Sequence, residues 1–199
     1  MTQISFDEIF KSANPNQDKF LSRLFGIFNE DIVRKWCADS RAPYRDLGRP
    51  TIRLRTERRG RTLDFTFQSR RDGLIFVGEL KCELEFENYR YLRLTSSSQL
   101  DHHKGEAFQK FRDIAKHAHK YIVTVGGKDI SVAGAVLVWG SVTTEGRLAV
   151  IRENGFADIL SLEDIIVDLL NWGNEDYCRL IKDRATWCQY LFDKLVARS

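Results

Sequence analysis

No stretch of this sequence approaches the roughly 18 uncharged apolar residues that a membrane-spanning helix requires. The N-terminus, Met1-Thr2-Gln3-Ile4-Ser5-Phe6-Asp7, lacks the basic and then apolar pattern of a secretory signal. These two absences lead us to expect a soluble, cytoplasmic protein with no membrane partner. Cysteine is sparse: Cys37, Cys82, Cys178 and Cys188 are scattered, and no pair has the C-x-x-C spacing of a zinc or redox site. Reduced, mostly buried thiols are expected. Gly126-Gly127-Lys128 falls short of G-x-x-x-x-G-K-[ST], which excludes a P-loop triphosphatase. There is no G-x-G-x-x-G and no nucleophile elbow around a serine. Asp101-His102-His103 shares three letters with the DHH phosphoesterases, but the further Asp and His clusters those enzymes need are missing. His117 and His119 lack ligand spacing to that pair, and solvent-facing histidines are expected. Internal repeats, low-complexity tracts and flexible linkers are also absent, so residues 1–199 read as a single domain.

What is present is enough for a substantial core: 43% hydrophobic residues and four Trp in 199 residues. Charge is unevenly spread. Residues 41–71 hold ten Arg against Asp46, Glu57 and Asp64, a local balance of +7 that leaves −4 for the rest of a chain whose net charge is +3. Five of these Arg fall between Arg53 and Arg61. Arg suits phosphate, because its planar fork donates two hydrogen bonds at once. The alternative is a solvated strand edge and turn.

Beside this basic stretch lie three residues of another kind. Asp64 sits in the apolar run Thr62 to Phe67, and Glu79 and Lys81 lie near the end of a second run, Leu74 to Cys82. The polar turn Arg70-Arg71-Asp72-Gly73 separates the runs. Alternate side chains of a strand share a face, so Glu79 and Lys81 project together, and a hairpin brings Asp64 alongside. Two carboxylates and an ammonium at one point suit a divalent metal and the steering of water toward a phosphate. The alternative is an ion-pair cluster contributing on the order of 1 kcal/mol or less if exposed.

Periodicity supplies the surroundings. A capping box at Ser5-Phe6-Asp7-Glu8 opens a short helix to about Ala13, which Asn14-Pro15-Asn16 breaks. From Gln17 to Asp39, Leu21, Leu24, Phe25, Phe28, Ile32 and Trp36 predict one long helix. Strands are expected at 51–57, 62–68 and 74–84. In the third, Phe76, Gly78, Leu80, Cys82 and Leu84 share one face; Val77, Glu79, Lys81, Glu83 and Glu85 share the other, where Glu83 and Glu85 either extend the site or face solvent. Thr95-Ser96-Ser97-Ser98 starts a helix that runs to about His119, with Phe108, Phe111 and Ile114 in period. Strands follow at Tyr121 to Val125 and Ala133 to Trp139, and a short one at Leu148 to Ile151. Ser161-Leu162-Glu163-Asp164 opens a helix to Trp172. In the last helix, Cys178, Ile181, Ala185, Cys188, Phe192 and Leu195 form a seam, expected to pack within the chain, with homodimer contact the alternative.

Asp64, fourteen residues, and then Glu79-Leu80-Lys81 resembles the motif of the PD-(D/E)XK phosphodiesterases, the restriction-endonuclease-like nucleases. Leu63 stands where that family's leading Pro is often found. The order helix, three strands, helix, two strands resembles the family core over residues 17–140, with 155–199 a C-terminal helical extension. The resemblance implies an α/β fold with a restriction-endonuclease-like core, a central mixed β-sheet flanked by helices (α-β-β-β-α-β-β). It implies that Asp64 and Glu79 hold Mg²⁺, or Mn²⁺, with the Leu80 carbonyl as a further ligand. Lys81 would orient the attacking water, held protonated by the adjacent carboxylates. Gly26-Ile27-Phe28-Asn29-Glu30 is similar to the Gly-x-x-x-Glu with which family members add an acid from the preceding helix, the small Gly letting that helix approach the sheet. Glu30 is then catalytic; otherwise it pairs with Arg34 at i+4, and Asp31 is the competing acid. Gln99 and Lys104 fall where members often carry a Gln or Lys facing the site, and Gln99 is the candidate. Arg55, Arg58, Arg59 and Arg61 are the candidate contacts to nucleic acid, in the first place DNA. The expected function is a metal-dependent phosphodiesterase, a DNA endonuclease. The alternatives are a catalytically idle nucleic-acid-binding module or a dimeric interaction protein.

Overall fold

The computed structural model describes residues 4–82, 84, 87 and 89–196. Glu83 and Glu85 lie outside the described residues. The chain opens with α1 (Phe6–Phe10), α2 (Pro15–Gly26) and α3 (Asn29–Ala38), followed by β1 (Tyr44–Asp46), β2 (Thr51–Leu54), β3 (Arg61–Thr62), β4 (Phe65–Ser69) and β5 (Ile75–Lys81). Then come β6 (Arg93–Leu94), a 3-10 turn over Ser97–His102, α4 (Glu106–His117), β7 (Tyr121–Val125), β8 (Lys128–Ile130) and β9 (Gly134–Trp139). The remainder is β10 (Ser141–Val142), α5 (Thr144–Asn154), β11 (Asp158–Ser161), α6 (Leu162–Asn171) and α7 (Glu175–Val196).

The main sheet has five strands in the order β1-β4-β5-β9-β11. β1, β4 and β5 run antiparallel to their neighbours, whereas β5, β9 and β11 run parallel, so the sheet is mixed. Every residue of β9 is buried, as a parallel strand covered on both faces requires. On one face, Phe65, Phe67, Phe76, Val136 and Val138 pack with Ile32, Val33 and Trp36 of α3 and with Ile165, Ile166 and Leu169 of α6. On the other, Val77, Ala135 and Leu137 meet Phe108, Phe111 and Ile114 of α4 and Val150 of α5. The protein is therefore α/β, with a mixed five-stranded sheet flanked by helices.

The expected hairpin forms. β4 and β5 pair with Phe65 opposite Gly78 and Gln68 opposite Ile75. Gly73 supplies the turn's left-handed residue at φ +75°, and the Asp72 carboxylate accepts from the Leu74 N–H. The predicted strands at 51–57 and 121–125 leave the main sheet. The first shortens to β2 and the second is β7 with its expected bounds; they pair with each other and build a separate antiparallel sheet in the order β3-β2-β7-β8. The main sheet instead takes β1 and β11, neither of which periodicity marked as a strand.

Four other expectations change. The long helix from Gln17 to Asp39 is two helices, broken at Ile27 and Phe28 directly after Gly26. A Cβ on Gly26 would meet nothing within 4 Å, so close approach to the sheet is not its role; as a poor helix former it ends α2. The predicted strand at Leu148 to Ile151 is the middle of α5. Thr143 caps that helix by accepting from the Gly146 N–H, and Gly155 closes it at φ +76°. Of the cysteines, only Cys37 is buried; Cys178 is exposed, on the outer face of α7. The seam of α7 also divides. Tyr177, Leu180 and Ile181 pack on the core, while Phe192 and Leu195 are 44% and 72% exposed.

Candidate functional site

Asp64 stands at a break in the chain between the two sheets. Leu63 before it is buried in the core of the α4 side, and Phe65 after it is buried in the core of the α3 side. The register of β4 and β5 carries Asp64 to the place opposite Glu79. Its Oδ2 accepts from the Leu80 N–H at 2.9 Å, and Arg49 Nη2 approaches Oδ1 at 3.3 Å. Two strand positions further on from Glu79, Lys81 returns its Nζ to Glu79 Oε1 at 2.8 Å. The expected trio is thus brought together on one face of the sheet.

The electrostatics of the two carboxylates follow from their position. Glu79 is 6% exposed, and its Oε2 is buried without a hydrogen-bond partner among the described residues. Burial pushes its carboxyl above the usual carboxylate range; the Lys81 ammonium pulls it down and the Asp64 charge pushes it up. Asp64 is also raised, first by burial, against the Leu80 N–H, and further by the charge of Glu30. Glu30 is therefore close enough to be felt, although its carboxylate is engaged by Arg34 at 2.9 Å, the i+4 pairing that sequence offers as the alternative. Arg34 also reaches the Asp64 carbonyl at 3.5 Å and lies over the Phe65 ring at 5.3 Å. Asp31 pairs with Arg184 of α7 at 2.9 Å and lies 3.8 Å from the same Arg34.

Glu79 and Lys81 open onto a cleft of about 1020 Å³. One wall is α2, with Lys19, Ser22 and Arg23; another runs from the end of the 3-10 turn into α4, with His102, His103, Lys104 and Phe108. Asp64 is not among the residues that line the cleft. Lys81 Nζ lies 5.5 Å from the centre of the Phe108 ring. His103 is buried against Phe108 and Trp139, contrary to the solvent-facing position expected of it.

The remaining candidates are placed elsewhere. Gln99 is buried, and its amide is engaged by main chain: Oε1 accepts from the Thr95 and Ser96 N–H groups, and Nε2 donates to the Arg90 and Arg93 carbonyls. It braces the segment before the cleft wall and does not line the cleft. Lys104, its companion in the sequence reading, does. None of Arg55, Arg58, Arg59 and Arg61 lines the cleft. Arg61 is tied to Glu106, whose carboxyl Arg61 and Lys110 hold down at about 2. Arg55 borders a smaller pocket of about 370 Å³ on the second sheet, with His119 and Asp129. Lys19 and Arg23 were not picked out by the sequence reading, although their i, i+4 spacing puts two cations on one face of α2.

Among the described residues no three His, Cys, Asp or Glu side chains form a metal-holding group. Asp64 and Glu79 are a pair. No helix is long and apolar enough to cross a membrane. No family model matches the sequence, and neither a curated protein nor a solved structure matches the chain.

Proposed function

We propose that the chain is a metal-dependent phosphodiesterase of the PD-(D/E)XK kind, a DNA endonuclease built on a restriction-endonuclease-like core. The observation that carries this reading is Glu79: a carboxylate oxygen buried with no hydrogen-bond donor among the described residues, opposite a second raised carboxylate, at the floor of a cleft. A buried anion in that state is costly unless a cation completes it. Asp64 and Glu79 would hold Mg²⁺ or Mn²⁺, with the Leu80 carbonyl as a further oxygen donor, and a hard ion of this kind needs few protein ligands when water and phosphate oxygens supply the rest. When bound, the ion would polarise the phosphate and favour ionisation of a coordinated water.

The chain's own groups do the positioning. The Leu80 N–H fixes the Asp64 carboxylate, leaving further lone pairs on both its oxygens. Lys81, at the cleft surface and held by Glu79, presents an ammonium to the scissile phosphate and orients the attacking water. Glu30 adds negative charge beside Asp64, which strengthens the site's demand for a cation.

Asp64→Ala and Lys81→Ala should each lower Mg²⁺-dependent cleavage of DNA by about 10²-fold or more, with circular dichroism unchanged. Calorimetric titration of Mg²⁺ or Mn²⁺ should give binding that Glu79→Ala removes. Folded wild-type protein that binds nucleic acid yet cuts neither DNA nor RNA with either ion would leave the idle binding module as the function.

A further inference from the structure

We propose that the cleft takes a single nucleic-acid strand and shuts out the duplex, the strand's phosphates passing between Lys19 and Arg23 on α2 and Lys104 on the facing wall. The proposal rests on the nuclease reading only for the phosphate that meets Lys81. Three observations support it. First, cations from two elements line the cleft: Lys19 and Lys104 are exposed and engage no carboxylate among the described residues, and Arg23 lies one turn from Lys19. Among the described residues the acid on the cleft rim is Glu87, and it is paired with Arg90 at 3.2 Å. Of the Arg-rich stretch, Arg61 is spent on Glu106, and Arg55, Arg58 and Arg59 are exposed but lie outside the cleft lining.

Second, one wall is aromatic. The rings of Tyr91, His102, His103 and Phe108 follow one another at centroid distances of 3.9, 3.7 and 4.8 Å; this packing buries His103 and Phe108, and half-buried His102 is the ring that reaches the cleft surface. An unpaired base can bring its face to the edge of the His102 ring whatever its identity, whereas a paired base has no face to offer. Third, the space is small. About 1020 Å³ is the upper size of a small-ligand pocket, about 1,000 Å³. A duplex turn is about 34 Å long and carries phosphates on both sides. Walled by α2 on one side and by residues 102–108 on the other, the cleft has room for a few nucleotides of one strand.

The test reads binding without chemistry, in EDTA, by fluorescence anisotropy. The probes are a labelled single strand of about 16 nucleotides, as DNA and as RNA, and the blunt DNA duplex of the same sequence. At least one of the two single strands should bind about tenfold or more tightly over the duplex. Lys19→Glu combined with Arg23→Glu should weaken that binding by about tenfold and reduce its salt slope by about 1.4, the loss of two phosphate contacts to a single strand. Lys104→Glu, on the opposite wall, should weaken it in the same direction. All three positions are exposed, and an unchanged melting temperature checks the fold. A duplex bound as tightly as both strands overturns the proposal. So does unaltered strand affinity in the α2 variant, with binding lost instead in Arg55→Glu, Arg58→Glu and Arg59→Glu together. The nuclease reading fails separately: strand-selective binding with no cleavage in Mg²⁺ sinks that reading and leaves the cleft, whereas cleavage by a protein that prefers duplex sinks the cleft alone.

Discussion

Asp64 carries a cost that its neighbours do not remove. Arg49 and the Leu80 N–H both favour its ionised form, yet burial and the Glu30 charge still hold its carboxyl above the usual range. An acid raised in this way binds its proton more tightly folded than unfolded. Protonation therefore favours the fold, and stability falls as pH rises through the folded value. Asp64→Asn keeps an oxygen for the Leu80 N–H and deletes the charge. In EDTA at about pH 8 the variant should melt above the wild type, and the gap should close as the wild type takes up its proton on acidification toward about pH 4. Scanning fluorimetry across that range checks it. A variant that melts lower at high pH would mean that the Arg49 contact outweighs burial. A pair of carboxylates that burial makes destabilising when ionised points to a functional rather than a structural role.

The pairing of β4 with β5 depends on the absence of a side chain at Gly78. A Cβ there would lie 2.4 Å from Phe67 Cε2 and 3.0 Å from Phe65 Cβ, and both rings are fully buried and stacked on each other at 5.2 Å. Neither ring has space to retreat. Gly78→Ala should cost about 1–3 kcal/mol of overpacking, and a chain of this size loses roughly 2–4 °C of melting temperature per kcal/mol. A melting temperature unchanged by Gly78→Ala would show that the aromatic pair is free to move. This hairpin was legible in the sequence because its signals are local: two apolar runs of alternating period, a turn with Gly73, and an acid at each end. α6 was legible for the same reason, as was the apolar stripe of α4, although the expected start at Thr95 to Ser98 opens the separate 3-10 turn and the helix begins at Glu106. The second sheet was not, because β2 pairs with β7 across some seventy residues, and nothing local distinguishes Ile52 as a partner of Val123 from Ile52 as a neighbour of β4. α5 was misread because Leu148-Ala149-Val150-Ile151 is an apolar run too short to show a period; Thr143 and Gly155, its cap and its stop, were the signals available.

At the scale of the whole molecule, α2 forms one wall of the cleft and α7 runs past it, and the two helices are secured differently. α2 is held by a cluster of rings, in which Phe25 meets Phe6, Phe10 and Phe28 at 5.4 Å each. α7 is anchored only at its beginning. Tyr177 is buried, Leu180 and Ile181 join the core, Asn174 donates to Asp39, and Arg184 reaches Asp31. Beyond that point Trp187, Tyr190, Leu191, Leu195 and Val196 are each more than half exposed, and a ring contact between Phe192 and Phe20 at 6.3 Å is what joins this part to α2. Folding therefore draws little from the last three turns. Removing residues from Trp187 onward should cost about 1 kcal/mol or less, because the deleted side chains leave little buried surface behind. Tyr177→Ala, at the anchored end, should cost about 3 kcal/mol. Thermal melts of the two variants beside the full chain measure the difference. If truncation lowered the melting temperature by more than about 10 °C, the outer half of α7 would have to be holding α2 in place through Phe20, and the shape of the cleft would then depend on it. The same truncation read by strand-binding anisotropy separates the two cases: affinity is kept where α2 is positioned by its phenylalanine cluster, and lost where Phe192 is what steadies the wall that bears Lys19 and Arg23.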